Sequence, residues 1–514
     1  MNTTTHIHLT HPLLARIGAI ADAAGAEIYV VGGYVRDLLL ERGDKDIDIL
    51  VVGDGIAFAR HAAHELGVET VVAFERFGTA MVPLETGKVE FVGARREAYT
   101  HDSRKPQVTR GTLTDDLMRR DFTINAMAVS LNAGTYGTLE DPLGGREDLA
   151  REIIRTPLDP DHTFEDDPLR ILRAIRFAAQ LEFRIEERTF KAVSAMRERL
   201  SIVSQERITD EFLKIMRVRQ PSIGLRMMFE TGVLQIVFPE IADMAGVDQR
   251  RDHHHKDVFL HTCQVVDNIA ATTENVWLRF VALVHDIAKP RTKAFKEGTG
   301  WTFHGHEEVG ARMMKKIFRR MKLPMDPLAY VEKLVRLHLR PMVLVDEEVT
   351  DSAVRRLVFE AGEDVDDLMK LCRADITSKN PKLVARYLRN YDRVMEKIAE
   401  VEEKDRLRAW QPPVKGDEIM AVCGLQEGRG VGILKKAIEE AILDGRIPNE
   451  HDAALEYLLS IKDRVLESQE GVAGMKSGAP GGKNSPPGID NGPPGNARPP
   501  KKESVSGEDK DPDA

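Results

Sequence analysis

Along roughly the first 150 residues, short apolar runs alternate with polar breaks; beyond them the apolar positions recur at helical spacing. Ile28–Val31 is short enough for one buried strand. Gly32-Gly33 breaks it, residues 35–40 repeat at helical spacing, and Asp46 and Asp48 interrupt the start of a second apolar run. Residues 56–66 predict a helix, and residues 68–74, 79–83 and 88–92 predict further strands. Residues 93–116, basic at the start and poor in apolar side chains, predict a mobile loop of the kind that closes over substrate. A helix start is predicted over residues 119–128, and a turn closing the sheet at Asp141-Pro142-Leu143-Gly144-Gly145, before Asp148-Leu149. Another helix opens at Phe164-Glu165-Asp166-Asp167-Pro168-Leu169-Arg170, its acidic first turn favoured by the helix dipole. The pattern is α/β followed by all-α.

The chemistry begins with Asp46 and Asp48. Residues two apart in a strand point to one face, so the two carboxylates project together. Such close like charges repel unless a cation lies between them, and Mg²⁺ takes carboxylate and phosphate oxygens. Backbone N–H groups at the Gly32-Gly33 turn suit a triphosphate. Phosphate at the glycines and metal at the aspartates would place phosphoryl chemistry between them. Read alone, D-x-D is more often an acidic solvated loop than a metal site. Glu90 either faces solvent or stands beside the aspartates.

Gly32-Gly33-x-x-Arg36-Asp37 followed by Asp46-x-Asp48 in one strand–helix–strand unit resembles the nucleotidyltransferase superfamily. Within it, the chain resembles the class II tRNA CCA-adding enzyme and bacterial poly(A) polymerase family, and RRDFTINAMA, beginning at Arg119, is a further long match. The resemblance spans about residues 27–465. It implies an α/β nucleotidyltransferase-type catalytic domain with a mixed or antiparallel sheet, followed by all-α domains including an HD-like one. The expected boundaries are 1–150 for the catalytic domain, 151–245 for a helical nucleotide- and RNA-binding domain and 246–380 for the HD-like domain. A C-terminal helical tRNA-binding region follows at 381–467 and a disordered tail at 468–514.

The resemblance also implies roles. Two Mg²⁺ ions would sit at Asp46 and Asp48, with Glu90 as the third carboxylate of catalysis. Gly32, Gly33 and Arg36 would hold the triphosphate, Arg120 the nucleotide, and Asp121 and Asn125 would work near its sugar. The family's E-D-x-x-R motif appears with Asp166 in its first position. Its Asp167/Arg170 pair would read the base edge in place of a template, with Arg173 beside it and Arg176 extending the basic line. Otherwise Asp167/Arg170 is a surface salt bridge. SQERITDEF (Ser204 onward) resembles the next helical motif, with Glu206 and Arg207 in supporting roles. The activity implied is addition of CCA to the tRNA 3′ end from CTP and ATP, releasing pyrophosphate. Poly(A) polymerase and CC-only or A-only addition are alternatives with the same motifs.

A second constellation lies beyond residue 250: His253-His254-His255, His261, His285-Asp286, His304, His306, His338 and Asp375. Adjacent His and Asp after the apolar residues 280–284 are costly without a shared cation. His261, His285, Asp286 and Asp375, with His306 and His338 available for a second ion, resemble the HD metal-dependent phosphohydrolase fold. Either the module binds a divalent metal and hydrolyses phosphoesters or it keeps the fold and serves structure or RNA binding. A chain that is chiefly such a hydrolase, with a degenerate transferase part, is a second alternative.

Composition narrows the partners. The net charge of −10 over 514 residues argues against a uniformly basic RNA binder, so RNA contact must come from local patches. Lys379, Lys382, Arg386, Arg389, Arg393 and Lys397 form one such run, either a solvated face or a phosphate-contacting one. Residues 412–449 resemble the family's C-terminal part, a Gly-rich turn before a short helix. Cys263, Cys372 and Cys423 have no metal-type spacing and imply no disulfide framework. The N-terminus reads as an amphipathic helix, and no apolar run approaches the roughly 20 residues of a membrane span. A cytoplasmic protein with tRNA, CTP and ATP as partners, no membrane and no obligate protein partner is expected.

Overall fold

The apolar run Ile28–Val31 is β1, near the middle of a seven-stranded mixed sheet. The computed structural model describes residues 5–474, apart from 44–45, 76–77, 85–86, 101–102, 248–256, 298–299, 347–349, 379 and 406–412. Helix α1, Pro12–Ala24, precedes β1; α2, Gly33–Leu39, β2, Ile47–Val51, and α3, Gly55–Leu66, follow. Strands β3, Val72–Phe74, β4, Thr79–Leu84, and β5, Gly87–Gly93, come next. The sheet order is β3-β4-β5-β2-β1-β8-β9, with β8 at Ala128–Ser130 and β9 at Leu139–Glu140. Only β2 and β5 run parallel.

Alternation along β2 sets the two faces. Ile47, Ile49 and Val51 enter the main core with α1 and α3, while Leu50 joins a small apolar cluster on the other face. Asp48 shares that second, more open face. Helix α3 is capped by Asp54, whose side chain accepts from Ala57 N, and stopped by Gly67 in the left-handed conformation.

Three expectations are corrected. Residues 93–116 hold an antiparallel hairpin, β6, Arg95–Thr100, with β7, Ser103–Arg110, and then α4, Leu113–Met118. A two-stranded ribbon satisfies its own backbone without an apolar face, so the polar composition hid it. Residues 119–128 form no helix: a single 3₁₀ turn, Thr123–Asn125, leads into β8. Phe122, Ile124, Ala126, Met127, Ala128 and Val129 are all buried, as an inner strand demands on both faces. The helix expected to open at Phe164 is two helices, α6, Pro160–Asp166, and α7, Leu169–Leu181, after a short α5, Gly145–Ala150. Pro168 forces the residue before it out of helical conformation, and Asp167 is extended at φ −138°, ψ 97°.

The short strands β10, Ile153–Ile154, and β11, Arg184–Ile185, pair in parallel; α8, Glu187–Met196, packs against α6, and α9, Gln205–Met216, against α7. Helices Val258–Ala270, Val276–Val284, His306–Met321, Leu328–Leu337 and Val365–Ala374 follow, then Pro381–Asp405. The chain divides into two compact units, 1–411 with 441–446, and 412–440 with 447 onward. The second unit has its own small apolar core, including Val414, Ile419, Leu434 and Leu458. Its last helix, His451–Gly474, runs past residue 468, where the sequence predicts a disordered tail; residues 475–514 lie outside the described residues. Among the described residues no helix is long and apolar enough to cross a membrane.

Candidate active site and a second metal-ligating cluster

The strand β2 and its parallel neighbour bring the acidic residues together. Asp48 is paired in register with Glu90 of β5. Lys88, two residues earlier, donates to Glu90 Oε1 at 2.7 Å and lies 3.8 Å from Asp46 Oδ1. Burial first, then the Glu90 carboxylate, push the Asp48 carboxyl up to about 6. The Lys88 ammonium occupies the position where a divalent cation would neutralise these carboxylates. All three are hard oxygen donors of the class Mg²⁺ takes, but their oxygens do not converge as a ready three-ligand group as the ligand atoms of the histidine cluster do.

Gly32 is required at the turn before α2. Its φ is +73°, and a Cβ there would come within 2.9 Å of Arg120 Nη1 and 3.8 Å of Asp48 Oδ2. The turn therefore sits directly against both the acidic edge and an arginine. Arg120 is aimed by Asp116, which is fully buried; Asp116 Oδ2 accepts from Arg120 Nε and Nη2 at 3.2 and 3.0 Å. The other oxygen of Asp116 accepts from Arg119 Nε at 2.8 Å.

Asp121 and Asn125 orient arginines rather than face outward. Asn125 Oδ1 accepts from Arg36 Nη1 at 2.8 Å, and Asn125 Nδ2 donates to Asp121 Oδ1 at 3.0 Å. Asp121 Oδ2 accepts from Arg173 Nε and Nη2 at 2.8 and 2.5 Å. Burial opposes the Asp121 charge, but Arg173 and the Asn125 bond hold it down to about 2. Arg173 and Arg176 of α7 also meet Glu211 of α9, with Arg176 Nε donating to Glu211 Oε2 at 2.6 Å. Phe177 lies beneath three guanidiniums, at 4.0 Å from Arg176, 5.1 Å from Arg36 and 5.3 Å from Arg173.

Of these groups, Asp48, the Gly32-Gly33 turn, Asp121, Asn125, Phe177 and the arginines line an open cleft of about 450 Å³, together with Asp167 and Arg170, while Asp46 and Glu90 are not part of its lining. Asp167 stands in the extended corner before Pro168, so it is not on a helix face with Arg170 as the three-residue spacing suggests. Its Oδ2 accepts from Arg207 Nη2 at 3.2 Å. Arg170 Nη2 donates to Arg119 O at 2.5 Å. Arg207 thus takes the supporting position expected of it. Glu206 is exposed, and the buried acid of that helix is Glu211.

Asp116, Phe177, Gln180 and Glu211 escape sequence reasoning, whereas Arg119 stood beside Arg120 at the start of the RRDFTINAMA match. Asp116 alone left a signal, since an acid three and four residues before two arginines predicts helical ion pairs.

The second cluster is fully formed. His261 comes from Val258–Ala270, while His285, His338 and Asp375 each follow the last residue of a helix, and His306 opens His306–Met321. His261 Nε2 lies 2.8 Å from Asp375 Oδ1, and His285 Nε2 lies 3.3 Å from Asp286 Oδ2. His306 Nε2 is 3.2 Å from Asp286 Oδ1 and 3.3 Å from His338 Nε2. His261, His285 and Asp286 form one ligand triad, and Asp286, His306 and His338 a second.

Each of the four rings turns Nδ1 to an oxygen: Thr377 Oγ1 for His261, and the carbonyls of Ala282, Phe303 and Val335 for the others. That leaves Nε2 facing the cluster, the orientation a metal ligand needs. His285 Nε2 is buried with no hydrogen-bond partner. Burial opposes charge on His285, but Asp286 and Asp375 outweigh it and hold the ring up to about 10. Burial and the His285 charge push His338 down to about 3, so it stays neutral. The donor set fits two divalent transition ions sharing Asp286. His304 is exposed and takes no part, and His253, His254 and His255 lie outside the described residues.

Comparison with known proteins places both parts of the chain in known families. The poly A polymerase head domain family matches residues 28–155, the family described as a probable RNA and SrmB-binding site of polymerase A matches 182–244, and the HD domain family matches 258–379. The A-adding tRNA nucleotidyltransferase of Halalkalibacterium halodurans is 39% identical over 380 residues, 67% of this chain and 88% of that protein. The CC-adding tRNA nucleotidyltransferase of Thermus thermophilus is 31% identical over 446 residues, 83% of this chain and 92% of that protein. A solved apo structure of a CCA-adding enzyme matches with a TM-score of 0.58 at 25% identity, covering 87% of this chain and 93% of that one. The chain belongs to the tRNA nucleotidyltransferase family of CCA-adding enzymes, with an HD domain behind its mixed-sheet head.

Proposed function

We propose that the chain adds CCA to the 3′ end of tRNA from CTP and ATP without a nucleic-acid template, releasing pyrophosphate. The observation that carries this reading is one cleft in which Asp48, the Gly32 turn and the Asp167/Arg170 corner share a wall of arginines. Gly32, Gly33, Arg36 and Arg120 hold the triphosphate. Asp46, Asp48 and Glu90 hold two Mg²⁺ ions. Bound there, the ions would activate the RNA 3′-hydroxyl and neutralise the leaving pyrophosphate. Asp121 and Asn125 fix Arg173 and Arg36 for the nucleoside and phosphates.

A carboxylate accepts and a guanidinium donates. Cytosine and adenine each carry an amino donor where uracil and guanine carry a carbonyl oxygen. Asp167 and Arg170 together therefore suit both C and A, which favours one site serving all three additions. The exposed basic residues Lys382, Arg386, Arg389 and Arg393, spaced four, three and four apart on Pro381–Asp405, supply a local phosphate-contacting stripe for tRNA. In this reading residues 1–150 are catalytic, 151–245 bind nucleotide and RNA, 246–380 form the HD module, and 381–474 contact tRNA in the cytoplasm. Incubating the protein with tRNA lacking its 3′ end and offering each nucleotide tests it. Two C residues and one A are expected. A halt after CC, addition of A alone to tRNA ending in CC, or long A tails would instead mark a CC-adding enzyme, an A-adding enzyme or a poly(A) polymerase.

A second activity is favoured by the two ligand triads, His261/His285/Asp286 and Asp286/His306/His338, that meet at Asp286 inside the buried cluster. We assign His261, His285, Asp286 and Asp375 to a divalent metal site, with His306 and His338 on a second ion. The module is then a phosphohydrolase, separable from transfer. Metal analysis of the purified protein and a phosphomonoester assay test it.

A further inference from the structure

Two large aromatic side chains stand in solvent on a short hairpin built into the HD module. The hairpin is β12, Ala294–Lys296, and β13, Gly300–Thr302, with Phe295 and Trp301 directly cross-strand. Phe295 is 52% exposed and Trp301 41%. Their rings meet edge to face at 5.2 Å, and Lys293 Nζ lies 4.4 Å from the Trp301 ring centre. Isolated exposed apolar residues need no account, and a cross-strand aromatic pair helps hold its own hairpin, but neither explains leaving both rings so open to solvent.

Position and charge say what it is for. Asp286 and Lys289 lie eight and five residues before the hairpin and His306 four residues after it, its Nδ1 donating to Phe303 O at 2.8 Å. Lys289 Nζ is 2.6 Å from Asp286 Oδ2 and 5.7 Å from the Phe303 ring centre. Lys289, Arg291, Lys293 and Lys296 place four cations within eight residues. Aromatic faces beside cations bind single-stranded nucleic acid, because every base has a stackable face and every nucleotide a phosphate. A duplex hides those faces, so an unpaired RNA end is the fitting class.

We infer that this hairpin is a stacking platform for the terminal base of single-stranded RNA and delivers that nucleotide's phosphate ester to the histidine–aspartate cluster. The binding stands on the hairpin itself; the delivery rests on the phosphohydrolase reading above. In the step delivered, water oxygen bonds to phosphorus and the bond from phosphorus to the ribose oxygen breaks. The ribose oxygen takes one of the water's protons, leaving a hydroxyl and inorganic phosphate.

The test separates the two parts. The full-length protein, stripped of metal with EDTA, is irradiated with a short oligoribonucleotide ending in 3′-phosphorylated 4-thiouridine, and adducts are mapped by mass spectrometry. Adducts on residues 294–302 are expected, reduced at least about fivefold in Trp301→Ala and in Phe295→Ala, since one stacked base contributes that much affinity. Both variants should add nucleotides to tRNA as the parent does, which shows that they fold. Adducts confined to the transferase cleft, or unchanged in Trp301→Ala, overturn the platform, as would a hairpin that captures a protein partner and no RNA. With metal restored, Trp301→Ala should lower kcat/KM for the oligonucleotide while leaving glycerol 2-phosphate hydrolysis unchanged. Hairpin adducts with no ester cleaved under any divalent ion uphold the platform and overturn the phosphohydrolase.

Discussion

Asp48 and Glu90 face each other in register across the one parallel strand pair of the sheet, and Lys88 reaches into the same acidic edge. The folded chain raises Asp48 from an ordinary 3.8 to about 6. Folding therefore disfavours its ionised form: the penalty is absent below pH 3.8, grows between there and pH 6, and is constant above. Two units correspond to about 3 kcal/mol at most, and about 1–2 kcal/mol after partial solvent screening. Asp48→Asn is expected to raise the Tm of the metal-free protein at pH 8, to leave it unchanged near pH 4, and to abolish transfer. Asp46→Ala should abolish transfer as well. An unaltered Tm at pH 8, or transfer near the parent rate in either variant, counts against a carboxylate metal site.

Gly32→Ala should fail in a different way. A methyl group there crowds the Arg120 guanidinium and sits on a backbone with positive φ, costing about 1–2 kcal/mol locally. The protein should still fold, with KM for CTP and ATP raised together. A shift for one nucleotide alone would mean that the turn reads the base instead of the phosphates.

Asp167→Ala is expected to relax the choice among CTP, ATP, UTP and GTP more than it slows addition. Losing one polar partner of the base should lower discrimination by about 1–3 kcal/mol. Arg207→Ala, which removes the ion pair that orients Asp167, should weaken discrimination in the same direction and by less. Selectivity unchanged in Asp167→Ala would refute the base-reading corner.

Arg386→Ala and Arg389→Ala should weaken tRNA binding without altering nucleotide preference. Each lost phosphate contact lowers the slope of log K against log salt by roughly 1. A parent-like slope in the double variant would make the stripe a solvated face. Lys397 belongs to the same run but is already held by Asp351 at 2.8 Å, so Lys397→Ala is expected to cost stability and not affinity.

His285→Ala should remove copurifying divalent metal and any ester hydrolysis while sparing transfer on tRNA. Full metal content in the variant would place the ions elsewhere.

Much of the catalytic half was legible because its signals are local. Strand, turn and carboxylate spacing put Asp46, Asp48 and Gly32 together within seventeen residues, and the β2–β5 register then brings in Glu90 from forty residues on. What stayed hidden depends on contacts between distant segments or on burial from both sides. The run through Phe122 and Val129 reads as helix or strand until its neighbours are known. Asp121 looks like a nucleotide contact, yet its charge is committed to Arg173, fifty-two residues away. Phe177 reads as one more core residue on α7, and only packing places it under three guanidiniums. The histidine cluster was readable as a set of ligand types, but its sharing of Asp286 between two triads required the fold.

The chain of bonds from Arg36 through Asn125 and Asp121 to Arg173 has a consequence for how such proteins can change by descent. Arg36 belongs to the phosphate end of the cleft and Arg173 to the helix beside the base-reading corner, and Asn125, which holds Arg36, is itself bonded to Asp121, which holds Arg173. A recombination that exchanged the head for a relative's while keeping α7 would leave a guanidinium or a carboxylate stranded in the interior unless both ends travelled together. Heads and their neighbouring helices should therefore be inherited as one piece, while the stripe on Pro381–Asp405 is free to be traded.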